Sequence, residues 1–189
     1  MEQNSQSTYT LNYYIKSFFT SYLKEQRGVS NNTILSYRDT FKLLIDFIID
    51  KKGITNTNDL TFSDITEKIV LDFLSNLIDK KDGRGNTSQT RNLRLAAIHC
   101  FFRYLSKQND YFLTHSRKIL AIPLRKTHTR ILDYLSKDEL KSIFAEVDFT
   151  NSDGFRDLTI LTYLYNTGAR GGEVADTRIS WLVLVAPYS

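Results

Sequence analysis

The chain has 189 residues, 41% of them hydrophobic and 24% charged, with two prolines and eight glycines; these proportions exclude a disordered tail and allow long helices in one large domain or two small ones. The single cysteine, Cys100, excludes an internal disulfide and fits a reducing, cytosolic setting, while a signal-peptide layout and a membrane-length apolar run are both missing, so no membrane partner is expected. Net charge is only +4, but residues 80–130 hold 12 Lys/Arg against 2 Asp/Glu and the remainder holds 13 against 19, a concentration of cations that suits a phosphate backbone.

Four helices are predicted in the first 107 residues. Leu11, Tyr14, Ile15, Phe18, Phe19, Tyr22 and Leu23 recur at three-and-four spacing and Gly28 closes that helix. Ser30, Asn31, Asn32 and Thr33 are N-cap types that open a second, with Ile34, Tyr37, Phe41, Leu44, Ile45 and Ile48 inward and Gly53 as its stop. Thr66 caps a third, which turns Val70, Phe73, Leu74, Leu77 and Ile78 inward. Residues 82–86 read as a turn. Thr87 or Ser88 caps a fourth, whose inward stripe is Leu93, Ala96, Ala97, Cys100, Phe101, Tyr104 and Leu105. Arg91 and Arg94 fall off that stripe, so both charges are expected to face solvent or a ligand.

From Asn109 to Tyr134 the periodicity weakens around Pro123 and the run Arg125-Lys126-Thr127-His128-Thr129-Arg130. The domains are therefore read as residues 1–110, a basic linker over 111–134, and a second unit over 135–189. Ser136 and Glu139 form a capping box for a helix that turns Leu140, Ile143, Phe144 and Val147 inward. A further helix from Gly154 turns Phe155, Leu158, Leu161, Leu164 and Tyr165 inward and stops at Gly168, and a short helix follows over 172–178. Trp181 to Val185 is apolar and β-prone.

The stretch from Leu161 to Val174 contains Thr167-Gly168-Ala169-Arg170 followed by Glu173. With the Leu135-Ser136-Lys137-Asp138-Glu139-Leu140 helix start ahead of it, this resembles the first catalytic motif of the tyrosine recombinases of phage-integrase type. The order of four helices, basic segment, capped helix and arginine motif extends the resemblance over about residues 9–178. It implies a mainly α fold: a four-helix SAM-like core-binding bundle followed by the helical start of an integrase catalytic domain. It also implies site-specific cleavage and rejoining of duplex DNA through a phosphotyrosyl link, with no metal and no other cofactor. In that family Arg170 matches the catalytic arginine, whose planar guanidinium contacts the non-bridging oxygens of the transition state, and Glu173 matches the acidic residue that supports it.

By the same resemblance, the second and fourth helices lie toward the major groove. Asn31, Asn32 and Thr33, with Tyr37 and Arg38, would then meet phosphates; Arg91 and Arg94, with Thr87, Ser88, Gln89 and Asn92, would line the groove; and Lys126, Thr127 and Arg130 would follow the backbone between the two halves. Other recombinase subunits are implied as partners. The family's hairpin lysine, His-x-x-Arg motif and late nucleophilic tyrosine have no match: His99, His115 and His128 all precede Arg170, and Tyr188 lies too close to it. Gly171 and Gly172 also stand where the family has helix formers, and resemblance fades after Ser180. A truncated, catalytically incomplete recombinase is the expectation, with a non-catalytic DNA-binding regulator or interfering fragment as the alternative and a helical protein-interaction domain as a third.

Overall fold

The computed structural model describes residues 10–127 and 134–181, and among these residues there are helices, turns and loops but no strand. The chain divides into two compact units, Met1–Thr129 and Arg130–Ser189.

The first unit opens with α1 (Leu11–Ser17), capped by the Thr10 side chain, and runs on as a π-helical segment (Phe18–Gln26). The wider winding explains the observed burial. Leu11, Tyr14 and Phe18 follow ordinary three-and-four spacing, but the next fully buried side chain is Leu23, five residues beyond Phe18. Then come α2 (Asn31–Lys52), α3 (Glu67–Ile78) and α4 (Ser88–Leu105), capped by the side chains of Ser30, Thr66 and Thr87 in turn. Each cap oxygen accepts a backbone N–H from the first turn, which supplies a partner the helix itself lacks. The turn between α3 and α4 needs glycine at Gly83, because a Cβ there would stand 1.9 Å from the Asn76 carbonyl oxygen.

Aromatic rings fill the core. Phe18 meets Phe101 edge-on at 5.2 Å and Tyr104 at 5.5 Å, Phe41 meets Phe101 at 5.0 Å, and the Tyr104 hydroxyl donates to Ser17 Oγ at 3.0 Å. The inward faces of α2 and α3 follow the sequence pattern: Phe41, Leu44 and Ile48 are buried from one, and Val70, Phe73, Leu74 and Leu77 from the other.

Two sequence expectations need correction. In α4, Leu93 is 61% exposed and Ala96 is exposed, whereas Arg91, Leu95, Ile98, His99 and Phe102 are buried. This helix packs against α2, α3 and a further helix, so its buried positions spread beyond a single apolar stripe. The further helix is α5 (Leu113–Leu120), in the stretch expected to be linker. It follows a short 3-10 turn, Asp110–Phe112, and buries Phe112, Ser116, Ile119 and Ile122. Two imidazoles fasten it. His99 Nε2–H donates to the Ile119 carbonyl at 3.0 Å, and His115 Nε2–H donates to the Ile65 carbonyl at 2.9 Å. The packed part of this unit thus continues to Ile122.

The second unit contains α6 (Lys137–Ala145), α7 (Ser152–Thr167) and α8 (Gly171–Asp176), then a 3-10 turn, Ile179–Trp181. The Ser136–Glu139 capping box is formed: Glu139 N–H donates to Ser136 Oγ at 3.2 Å, and Ser136 N–H donates to Glu139 Oε2 at 2.7 Å. None of its described residues is buried. Ile143, Phe155 and Tyr165, expected inward, are 40%, 65% and 62% exposed; Phe144 and Tyr165 touch edge-on at 6.1 Å, and among the described residues these three helices supply no further layer to cover the rest. Of the stretch read as β-prone, Trp181 ends the 3-10 turn and residues 182–185 lie outside the described residues.

Candidate nucleic-acid interface

The first half of α4 holds two other stretches of the first unit beside it. Arg94 of α4 donates through one terminal nitrogen to the Ser36 carbonyl at 3.3 Å and to Thr40 Oγ1 at 3.1 Å, which lays the first half of α4 beside the first half of α2. Arg91 donates to the Pro123 carbonyl at 3.1 Å, and Asn92 pairs with the backbone of Arg125, so the chain leaving the bundle runs along the same first turns of α4. The start of α2, the start of α4 and the segment after Pro123 were the three sources of expected DNA contacts.

The individual residues fare differently. Asn31 is exposed in the first turn of α2. Thr33 is half-buried; its N–H donates to Ser30 Oγ at 3.3 Å and the two hydroxyls share a hydrogen bond at 3.0 Å. Arg38 is exposed, 3.8 Å from the Asp39 carboxylate. Thr87 serves as the α4 cap, accepting the Thr90 N–H at 3.2 Å. Lys126 is exposed, and Arg130 lies outside the described residues.

Arg91 is the clear correction among them: it is only 5% exposed and faces Pro123, not solvent. Burial, with the Arg125 charge nearby, holds its guanidinium below the ordinary arginine pKa. Arg94 is half-buried, and the rest of its five donors have no protein partner among the described residues.

Sequence reasoning placed Gln89 at the groove but missed Leu93 and Ala96, which continue it as the exposed stripe of α4 at four- and three-residue spacing. It also passed over Arg125. Exposed Lys80, Lys81 and Arg84 add cations on the turn leading into α4. The signal for the stripe was its regular spacing; the apolar character of Leu93 and Ala96 sent it inward.

The second unit holds the Arg170 motif. Gly168 adopts φ +65°, a left-handed conformation that only glycine takes readily, and its N–H closes α7 on the Leu164 carbonyl at 2.9 Å. Ala169 N–H donates to Thr167 Oγ1 at 3.2 Å, which tightens the turn. Arg170 then stands at the N-cap of α8 with its side chain 88% exposed. Glu173 reaches it twice: Oε2 accepts the Arg170 N–H at 2.8 Å, and Oε1 lies 3.3 Å from the guanidinium. One carboxylate therefore fixes both the backbone turn and the side chain, and the guanidinium keeps donors for an incoming anion. Among the described residues no three His, Cys, Asp or Glu side chains group so as to hold a metal ion, and no helix is long and apolar enough to cross a membrane.

A helical bundle of this kind belongs to a recognised class: residues 15–109 match the family described as phage integrase, N-terminal SAM-like domain. The chain belongs to the tyrosine recombinase family. Its relatives include two proteins of Sinorhizobium fredii, putative integrase/recombinase y4rC and y4rD. The first is 32% identical over 164 residues, covering 87% of this chain and 48% of the relative, and the second is 31% identical over 173 residues, covering 90% and 59%. Tyrosine recombinase XerD of Staphylococcus epidermidis is 28% identical over 170 residues, covering 90% and 53%. The chain spans about half the length of these relatives. No solved structure matches it.

Proposed function

We propose that this chain takes part in site-specific DNA recombination or integration, and that its first unit grips duplex DNA through the first half of α4, with α2 and the segment after Pro123 held beside it. In this reading Arg38, Arg94, Arg125 and Lys126 meet phosphates, with Asn31 and Thr33 nearby at the start of α2. Thr87 holds the α4 turn and Arg91 the chain exit, and both act by position. Gln89, Leu93 and Ala96 face the groove, where an amide can pair with adenine and apolar groups can contact thymine methyls. Arg170, oriented by Glu173, contacts the scissile phosphate. Other recombinase subunits are the expected protein partners.

The observation that supports this best is the hold of α4 on both stretches, made by Arg94 on α2 and by Arg91 and Asn92 on the exit segment. Of the active-site set implied by the family, this chain matches only Arg170 and Glu173. Tested by itself, it is expected to bind duplex DNA without forming a covalent adduct on a suicide substrate. Binding is expected to weaken as a straight line in log affinity against log salt. Salt-independent binding, or no binding, would sink the DNA reading, and a phosphotyrosyl adduct would overturn the non-cleaving part.

A further inference from the structure

We propose that Asn92 and Arg91 form a clasp that holds the chain after Pro123 against the first turns of α4, so that Arg125 and Lys126 meet a phosphate as a fixed feature instead of a loose tail. The inference rests on the DNA reading above but adds a device to it: two residues expected to touch nucleic acid are positioning residues for two others.

Three hydrogen bonds hold the exit segment and a fourth joins the two clasp residues. The Asn92 amide oxygen accepts the Arg125 N–H at 3.0 Å, and the amide nitrogen donates to the Arg125 carbonyl at 2.7 Å. One side chain thus satisfies both backbone groups of one residue, as a neighbouring β-strand would. Arg91 donates to the Pro123 carbonyl at 3.1 Å and to Asn92 Oδ1 at 3.2 Å, which couples the two clasp residues. Pro123 has a fixed φ, so the exit direction is set at the residue where the packed core ends.

The electrostatics favour an anion there. Arg91 is buried, Arg125 is close enough for each charge to be felt by the other, and no carboxylate pairs with either among the described residues. An uncompensated buried guanidinium beside a second one is relieved by a phosphate at the surface. Lys126, next in the chain and exposed, extends the same site.

If the exit segment is ordered in advance, binding does not have to order it. Releasing it lowers the competent fraction and weakens apparent affinity by the same factor. The full chain, as wild type and Asn92→Ala, is therefore treated with trypsin, and cleavage after Arg125 and Lys126 is followed by mass spectrometry. Cleavage is expected to run at least roughly fivefold faster in Asn92→Ala, with an unchanged far-UV circular dichroism spectrum. Asn92→Asp keeps the acceptor for the Arg125 N–H and is expected to fall between the two. Equal cleavage in all three overturns the clasp, and that result does not depend on DNA.

Affinity for a duplex of random sequence is then measured for wild type, Asn92→Ala, Arg125→Ala/Lys126→Ala and the triple variant. Asn92→Ala is expected to lose roughly three- to tenfold alone, and nothing further once both cations are gone. A full additional loss in the triple variant shows Asn92 acting on DNA itself and overturns the positioning role. Absence of binding by the wild type fails the DNA reading and the presentation role together, while the protease result still decides whether the exit segment is held.

Discussion

The two units follow the same local grammar and differ in what they bury. Ser30, Thr66 and Thr87 cap helices in the first, and Ser136 and Asn151 cap helices in the second, all by side-chain acceptance of a first-turn N–H. Gly53 and Gly168 end helices in the same left-handed conformation. Yet the first unit closes a core around Phe18, Phe101, Leu44 and Leu77, and the second buries none of its described residues. Capping sets where a helix starts, whereas stability comes from covering an apolar face with another layer.

The largest test of this contrast is a pair of truncations. Phe101→Ala is expected to destabilise the first unit by about 3–5 kcal/mol in urea denaturation followed by circular dichroism, because Phe101 is fully buried among four aromatic partners. Phe155→Ala, at a 65% exposed position, is expected to stay within about 0.5 kcal/mol. Equal losses would break the comparison.

Two arginines sharpen it next. Arg91→Ala leaves the Pro123 carbonyl without its donor and empties a buried position, for an expected loss of about 1–3 kcal/mol. Arg170→Ala removes an exposed ion pair and is expected to leave thermal unfolding unchanged. A double Arg91→Ala/Arg94→Ala variant would therefore weaken DNA binding partly through the fold, so its binding loss needs a stability measurement beside it.

Removing caps gives a smaller effect. Thr66→Ala is expected to cost about 1 kcal/mol in the cooperative unfolding of the first unit. Ser136→Ala is expected to lower helicity in α6 without moving that transition. A shared shift would mean that the units unfold as one.

The smallest effect is a pH dependence. Burial, opposed by the bond to Ile119 and reinforced by Arg103 and Arg91, lowers the His99 pKa below its ordinary value. The unfolded chain then binds a proton before the folded one does, so stability is full above the unfolded histidine pKa of about 6.5 and falls as pH drops toward the folded value. Asp64 adds a second step at lower pH: burial raises its pKa, but Lys52 and the Thr61 N–H and hydroxyl outweigh it and hold the carboxylate below its ordinary value. His99→Gln is expected to flatten the first step in denaturation midpoints between pH 7 and 5; an unchanged slope would show that the ring titrates as in the unfolded chain.

Much of the bundle was legible in the sequence because caps and one-sided stripes are local signals. The faces of α2 and α3 and the caps Thr66 and Ser136 were readable from residue type and spacing, while the α2 and α4 caps were narrowed to Ser30–Thr33 and to Thr87 or Ser88. The face of α4 was not, because a helix packed against three others has buried positions beyond one stripe, and Leu93 looks like any core leucine. α5 was hidden by its charges. Phe112, Ser116 and Ile119 share a face, but Arg117 and Lys118 beside them, with the basic run after Pro123, read as linker. At the candidate site, Gly168, Arg170 and Glu173 follow from adjacent residues, while the partners of Arg91 and Asn92 lie more than thirty positions away and no periodicity encodes them.

The wide winding at Phe18–Gln26 gives the bundle slack. Phe18 and Leu23 both point inward across five positions, and removing exposed Thr20 would leave them four apart, the spacing at which an ordinary α-helix keeps two side chains on one side. Losing one residue there is expected to relax the helix into standard winding, whereas the same deletion in α4 would swing every side chain beyond it by about 100°. The first helix is thus where this bundle can change length over generations without being rebuilt.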